Sequence, residues 1–304
     1  MTKAQQTRRL LLLALTALIW GAAFVAQSVG MEHVGPFTFN GVRSIIGGLV
    51  LLPCIPLLDG LAKKNGEPSR APKGPAGRRA LWQGGLLCGL ALTAGSSLQQ
   101  AGIQYTTVGK AGFLTAMYIV IVPVLGIFWR KKPGPQVWAG VVLAVAGFYL
   151  LCRPEQLGIG RGKTLLLLGS LMFSFHILLI DRFSPLVDGV RMSCIQFFVA
   201  GGICLAAALL FERPTLAGIL ASWAPLLYAG VLSCGVGYTL QTVAQKGLDP
   251  TIASLVLSLE SVFSVLAGWV VLRQALSLRE LFGCALIFAA IVLTQLPGKR
   301  PDAS

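Results

Sequence analysis

Long apolar segments recur along the whole chain and restrict its fold more than any other feature. Each is about 16 to 23 residues long, and a helix needs about 20 apolar residues to cross the hydrocarbon of a bilayer. Short turns rich in Gly, Pro or charged residues separate them. This pattern predicts an all-α membrane protein with ten transmembrane helices and no soluble domain. The predicted spans are approximately residues 10–29, 39–58, 80–101, 107–129, 137–152, 164–180, 190–211, 223–244, 251–272 and 278–296.

The composition supports a membrane protein. Hydrophobic residues occupy 55% of the 304 positions and charged residues only 12%, with a mean hydropathy of +0.76, whereas an ordinary soluble domain is about 25% charged. The first span follows two arginines, as a secretory signal would. Its apolar stretch is longer than the usual core of a cleaved signal peptide, so we expect the span to be retained.

The Lys and Arg residues predict the orientation, because such residues are retained on the cytoplasmic side of short loops. With the N-terminus inside, 17 of the 25 basic residues fall on the interior and 7 on the exterior, while Arg43 lies within the second span. We therefore predict a multi-pass protein of the cytoplasmic (inner) membrane with both termini in the cytoplasm.

The net charge of +14 does not indicate nucleic-acid binding, because the basic residues serve as topology signals on the loops. The longest loop, "DGLAKKNGEPSRAPKGPAGRR" (residues 59–79), is basic and rich in Pro and Gly. We expect a disordered cytoplasmic linker there. Contact with membrane lipid headgroups is the alternative.

The motifs of metal sites and common enzymes are missing from the sequence. Its seven cysteines lie in or at the ends of apolar spans, with no CxxC pair and no nearby His, so no metal ligands converge. HExxH, GxSxG and GxxxxGK[ST] do not occur. We expect neither a metal, nor another cofactor, nor enzymatic activity.

The chain also repeats itself. "SLQQAGIQYTTVGKAGFLTAMYIVIVPVLGIFW" parallels "TLQTVAQKGLDPTIASLVLSLESVFSVLAGWVV" at an offset of 142 residues, which matches Gln99 with Gln241 and Gly126 with Gly268. Each half contains five predicted spans. Because five is odd, the second half must enter the membrane from the opposite side. We therefore predict two inverted five-helix repeats, residues 1–152 and 153–304.

A family resemblance makes this interpretation more specific. "LIWGAAFVAQSVGMEHVGPFTFNGVRSIIGGLVLLP" resembles the EamA-type members of the drug/metabolite transporter superfamily, and "LSLESVFSVLAGWVVL" resembles the second copy of their module. The likeness covers essentially the whole chain. Members often carry Gly-Glu after spans four and nine, where this chain has "WRKKPG" and "LRQAL". The resemblance implies a ten-helix bundle with a substrate cavity lined largely by spans one, three, four, six, eight and nine, in a family consisting mostly of exporters of amino acids, other metabolites or drugs.

A secondary transporter is the leading functional hypothesis, because inverted repeats can exchange conformations and open a central site to either side. We expect an exporter that moves a small-molecule substrate, such as an amino acid, an amine or a drug, by alternating access. A membrane channel and a non-transporting membrane scaffold or receptor are the alternatives. Without a nucleotide-binding motif, coupling to protons, exchange, and transport down the substrate gradient all stay open. The sequence does not indicate an oligomeric state.

Glu260 is the strongest candidate site residue, because a charged side chain near the centre of a span costs about 2.5 to 3.5 kcal/mol on insertion scales. On a helical wheel it shares one face of span nine with Ser254, Ser258, Ser261 and Ser264. We predict that it binds substrate and is a candidate for proton coupling; a purely structural hydrogen bond is the alternative. Tyr118 occupies the equivalent place in the first repeat and is expected to lie near it across the cavity.

Other polar or aromatic residues within the spans are candidates for substrate contacts, although helix packing would also explain them. His176 is the only histidine within a predicted span, and it is a second candidate for proton coupling. Arg43 lies near the outer end of its span, where it would either anchor the helix by snorkelling to the surface or attract an anionic substrate. The remaining predicted substrate-binding residues are Trp20, Gln99, Gln241, Tyr238 and Ser97.

Overall fold

The computed structural model describes residues 3–66, 69–128, 133–151, 160–273 and 277–295. These residues form fourteen α-helices and one π-helical segment, with no strand among them. The elements are α1 (Lys3–Gly30), α2 (Pro36–Lys64), α3 (Gly74–Ile103), α4 (Val108–Thr115), α5 (Tyr118–Phe128), α6 (Pro135–Leu151), α7 (Arg161–Phe183), α8 (Gly189–Phe211), α9 (Leu216–Ala221), α10 (Trp223–Leu227), the π segment (Tyr228–Tyr238), α11 (Thr239–Gln245), α12 (Pro250–Leu257), α13 (Leu259–Leu272) and α14 (Leu278–Gln295).

Seven helical segments of the described chain are long and apolar enough to cross a membrane. The all-helical, multi-pass prediction is therefore confirmed, while the count of ten spans stays a prediction. α3 is 30 residues long but does not belong to the seven, and α6 and α14 contain shorter apolar stretches, Pro135–Gly147 and Leu281–Leu293. The predicted boundary between residues 152 and 153 lies outside the described residues. The seven segments are Lys3–Gly30, Pro36–Lys64, Val108–Phe128, Arg161–Phe183, Gly189–Phe211, Trp223–Gln245 and Pro250–Leu272.

The loop expected as a disordered linker at residues 59–79 is largely ordered, so this prediction is wrong. α2 continues to Lys64 and α3 begins at Gly74. Good helix formers extend α2, and its two terminal lysines lie at the end of the helix dipole that attracts cations. In the short connection that is left, Arg70 Nε lies 3.2 Å from Asp188 Oδ2. This ion pair holds part of the connection against the start of α8.

The contacts between helices follow the symmetry of the two halves. Exchanging equivalent helices of the halves turns each packed pair named below into itself or into another observed pair. α2 packs along α8, and α6 packs along α14. The contacts of α1 with α13 have a counterpart in those of α7 with α4 and α5, and the contact of α3 with α8 has one in that of α2 with the π segment. Two similar halves related by a two-fold axis would pack in this way.

Two of the membrane-crossing segments are interrupted at matching positions. α4 ends at Thr115 and α12 ends at Leu257, which are 142 residues apart, the offset of the sequence repeat. At each break, tighter bonds over three residues replace the α-helical pattern, as in Met117 N to Leu114 O at 3.4 Å and Ser261 N to Ser258 O at 3.1 Å. Irregular backbone at membrane depth is tolerated where protein surrounds it or where it lines a cavity.

Candidate functional site

A cavity lies between the helices, next to both helix breaks. Its lining comes from α1, α3, α4, α5, α7, the π segment, α11 and α13. These elements belong to the spans that the family resemblance implied, and α2 contributes as well. The lining therefore comes from both halves of the chain. Its residues are Trp20, Ala23, Phe24, Gln27, Arg43, Gln99, Thr115, Tyr118, Phe173, His176, Ile177, Ser233, Tyr238, Gln241 and Glu260.

Glu260 and Tyr118 meet at the cavity wall. The Tyr118 hydroxyl donates a hydrogen bond to Glu260 Oε1 at 2.9 Å, and the side chains are 2% and 3% exposed, respectively. Glu260 lies in the first turn of α13, where the positive end of the helix dipole stabilises a carboxylate. The structure thus brings together the two residues that the repeat had matched. Their contact with a substrate stays a prediction.

Gly21 explains how α1 approaches this part of the site. A Cβ atom at this position would lie 2.3 Å from Phe263 Cβ and 2.9 Å from the backbone oxygen of Glu260. Any larger residue would push α1 away from α13. The Trp-Gly pair of the first span therefore has two separate tasks, because Trp20 faces the cavity while Gly21 allows the close helix contact.

Aromatic side chains form one wall of the cavity. The ring centroids of Trp20 and Tyr238 are 4.4 Å apart, and Tyr238 meets the His176 ring edge-on at 5.7 Å. Trp20 Nε1 donates to the backbone oxygen of Ser233 at 3.3 Å, within the π segment. Short π-helical turns occur frequently at functional sites. His176 Nε2 lies 3.0 Å from Gln196 Oε1, so this histidine has a structural partner as well as access to the cavity.

Three glutamine side chains line the cavity, and they differ in which of their amide atoms form hydrogen bonds. Gln99 Nε2 donates to Thr115 Oγ1 at 3.2 Å, and Gln241 Nε2 donates to Gln245 Oε1 at 3.4 Å. The side-chain oxygens of Gln241 and Gln27 are buried without a hydrogen-bond partner. Because buried polar atoms are normally paired, these two oxygens are available to accept a hydrogen bond from a ligand.

Several predicted polar residues lie outside the cavity. Ser97 is not in the lining, and its hydroxyl lies 3.6 Å from Cys204 Sγ. The serines that share a helical face with Glu260 donate to backbone oxygens three residues earlier, for example Ser261 Oγ to Ser258 O at 2.7 Å. They are fully buried. For these serines the packing interpretation fits the structure, because their hydroxyls are already used within the helix.

The position of Arg43 contradicts the hypothesis that it anchors the helix at the outer surface. It is 4% exposed and lines the cavity, so snorkelling to the outer surface is wrong. α2 runs from Pro36 and is buried along this face, and Asn40, Arg43 and Ser44 are all buried there. The spacing of these three polar residues on one helical face was the signal that sequence reasoning missed. Gln27, Thr115 and Ser233 also line the cavity but were not among the predicted substrate-binding residues.

Within the described part of the chain, no three His, Cys, Asp or Glu side chains are grouped as metal ligands. The cavity therefore offers one carboxylate, one guanidinium group, one imidazole, several amides and hydroxyls, and an aromatic wall for contact with a ligand. Such a mixture of apolar surface and a few polar groups is typical of a small-molecule site.

Comparisons with known proteins show a single family along the chain. The model of the EamA-like transporter family matches residues 7–153 and 160–296. An uncharacterized transporter of Archaeoglobus fulgidus is 29% identical over 289 residues, covering 93% of this chain and 84% of that protein. The uncharacterized transporter YoaV of Bacillus subtilis is 24% identical over 294 residues, covering 93% and 95%.

A plant protein and a solved structure extend the likeness. A WAT1-related chloroplastic protein of Arabidopsis thaliana is 25% identical over 292 residues, covering 91% of this chain and 67% of that protein. A protein crystal structure aligns with a TM-score of 0.74 at 18% identity, covering 94% of this chain and 96% of that chain. At this identity the likeness concerns the fold alone, since one fold supports many functions.

Proposed function

Because the chain belongs to the EamA-like transporter family, we propose that it is a secondary transporter that exports a small organic metabolite through the cytoplasmic membrane. The mechanism is alternating access: the cavity opens to the cytoplasm and to the exterior in turn. Amino acids, amines and drugs are the substrate classes to consider.

The observation that carries this proposal is the buried cavity with charged groups inside the bundle. Glu260 and Arg43 both line it and are almost fully buried. A charged residue at membrane depth costs about 2.5 to 3.5 kcal/mol on insertion scales, so such residues usually mark a substrate or ion pathway. A protein that only packed its helices would gain nothing from placing both groups at one cavity.

The arrangement of the halves supports alternating access. The matching helix breaks and the exchangeable packing pairs are what two inverted five-helix repeats would produce. Two such halves with unequal conformations close the cavity on one side, and exchanging the conformations closes it on the other. We place both termini in the cytoplasm, as the distribution of Lys and Arg predicts.

Substrate contact is assigned to Glu260 and Tyr118 first, and then to Trp20, Tyr238, Gln99 and Gln241. All six line the cavity. Glu260 and His176 are the candidate groups for proton coupling, because both can change protonation and both reach the cavity. Exchange of one metabolite for another would need neither residue to titrate.

Counterflow in liposomes tests the proposal. The purified full-length chain is reconstituted, the vesicles are loaded with unlabelled amino acids, amines or nucleobases, and entry of the same labelled compound is followed. A transporter gives transient, saturable accumulation that requires the internal compound. A channel gives flux that rises linearly with concentration and shows no counterflow. A scaffold gives no flux, and no compound raises its melting temperature.

A further inference from the structure

The buried guanidinium group of Arg43 has an unpartnered hydrogen-bond donor. Its Nε atom is buried without a hydrogen-bond acceptor, and no ion pair to it occurs among the described residues. Its guanidinium carbon lies 5.8 Å from the ring centroid of Phe39, a contact with the ring face that uses no hydrogen-bond donor. A guanidinium group presents five donors in a planar fork that matches a carboxylate.

Glu260 also lacks a charged partner. It accepts the Tyr118 hydrogen bond, but it forms no ion pair with any described Lys, Arg or His. In particular, Glu260 and Arg43 do not pair with each other although they line the same cavity. Two opposite charges at one buried site normally neutralise each other directly, because leaving either one alone in a low-dielectric interior is costly.

We propose that the ligand itself completes this pair: the cavity takes a dipolar molecule whose anionic group binds Arg43 and whose ammonium group binds Glu260. The inference rests on the proposed function and specifies the substrate class by charge. Singly charged amines or acids would leave one of the two protein charges unpaired. The cavity would therefore reject them in favour of compounds that carry both charges.

The remaining lining suits such a ligand. Trp20 and Tyr238 provide an aromatic surface beside the charged groups, and the unpartnered oxygens of Gln27 and Gln241 accept further N–H donors. A small metabolite with one apolar or aromatic side group fits these conditions.

Matched probe compounds test the charge requirement. One series consists of L-phenylalanine, its methyl ester and 3-phenylpropanoate, which carry both charges, the ammonium group alone and the carboxylate alone. A second series consists of L-leucine, its methyl ester and 4-methylpentanoate. Their affinities for the purified full-length protein are measured from the concentration dependence of its melting temperature. We expect the dipolar member of at least one series to bind at least about tenfold more tightly than either singly charged member.

Two variants should change which of the three charge types the protein prefers to bind. Arg43→Gln should weaken binding of the dipolar compound at least about tenfold and leave the methyl ester unaffected or improved. Glu260→Gln should do the reverse and favour the carboxylate. A variant that was merely misfolded would lose all three compounds together. Arg213→Gln is the matched control, because it removes a positive charge from an exposed position after α8, and it should change none of the affinities.

Equal binding of dipolar and singly charged compounds would overturn the inference, and so would a folded Arg43→Gln protein that binds all three compounds as the parent does. The absence of any dipolar ligand would also overturn it. If one of these results were found and an amine, an acid or a neutral compound still gave counterflow, the protein would be a transporter whose substrate need not carry both charges. Loss of counterflow for every class would count against the proposed function itself.

Discussion

The segments Val108–Phe128 and Pro250–Leu272 are alike in backbone and different in chemistry. Both break after eight helical residues, α4 and α12, and both then continue as a second helix. At the matched position beyond the break, however, the first segment carries Tyr118 and the second carries Glu260. The tyrosine hydroxyl donates to the carboxylate, so the two different residues form one hydrogen bond across the cavity wall.

This difference shows what each copy of the repeat retains. The break lies at the same position in both copies, and the helix contacts around it correspond, although the residues there differ in size. The cavity side chains differ in chemistry, and a site built from two identical copies could not present a carboxylate on one side and a hydroxyl on the other. The backbone symmetry thus provides two exchangeable halves, while the side-chain asymmetry provides a specific site.

The predicted inversion of the two halves places equivalent loops on opposite sides of the membrane, which is the largest difference that we expect between the halves. On a cysteine-free background, Ser69→Cys lies in the connection between α2 and α3, and Ala217→Cys lies in the short helix α9, within the equivalent connection after α8; both positions are exposed. A membrane-impermeant maleimide should label Ala217→Cys in intact cells and Ser69→Cys only after permeabilisation. Labelling of both positions from the same side would contradict the inverted arrangement.

Exchanging the two matched residues for near-isosteres separates their roles in transport. Glu260→Gln keeps the size of the side chain and a hydrogen bond to Tyr118 but removes the charge, so we expect saturable uptake into liposomes to fall about 100-fold. Tyr118→Phe removes one hydrogen bond to a charged group, worth about 1.5 to 3 kcal/mol, and should therefore lower the uptake rate by about 10- to 150-fold. The measurement is the initial rate with the compound that gives counterflow in the parent protein.

Ser261→Ala is the control for this pair. Ser261 is adjacent to Glu260 and equally buried, but its hydroxyl donates to the backbone of its own helix. Its replacement should leave the uptake rate within about twofold of the parent, since an intrahelical side-chain bond is worth only about 1 kcal/mol of stability. A Glu260→Gln protein with unchanged rate and substrate range would show that this carboxylate only holds helices together.

The sequence predicted the parts of the site that follow from periodicity and repetition. The apolar spans, the offset of 142 residues and the cost of burying a carboxylate led directly to Glu260 and Tyr118. Arg43 was misplaced because distance along a span says little about depth when the neighbouring helices cover that face. Ser97 was included because it lies near Gln99 in the sequence, whereas a side chain two residues away on a helix points about 200° around the axis, towards nearly the opposite face.

The ion pair of Arg70 was missed for a related reason. The connection around Arg70 has the composition of a flexible linker, but the ion pair with Asp188 involves a residue more than a hundred positions away. No local sequence pattern predicts such a contact. The π segment was missed as well, because its three glycines do not distinguish a π-helix from an α-helix. Tertiary contacts with α1 and α2 accompany the wider turn.

The ends of the packed pair α2 and α8 offer a second comparison of the two halves. Aligning Pro36 with Gly189, the first residues of the two helices, matches Asp59 with Glu212. Each of these acids binds the first turn of the other helix. Glu212 accepts from Phe37 N at 2.8 Å, from Thr38 N at 2.8 Å and from Thr38 Oγ1 at 2.6 Å. Asp59 accepts two hydrogen bonds from the guanidinium group of Arg191, one of them at 3.2 Å.

These two acids should differ modestly in their contribution to stability. Glu212 pairs with two free backbone N–H groups at a helix N-terminus, so Glu212→Gln should lower the free energy of unfolding by about 1 to 2 kcal/mol. The Asp59 side chain is 37% exposed and its ion pair is screened by solvent, so Asp59→Asn should cost less than about 1 kcal/mol. Melting temperatures of the purified variants, at low and high salt, measure both. A larger loss for Asp59→Asn than for Glu212→Gln would mean that the Arg191 pair, and not the capped helix end, is what holds α2 against α8.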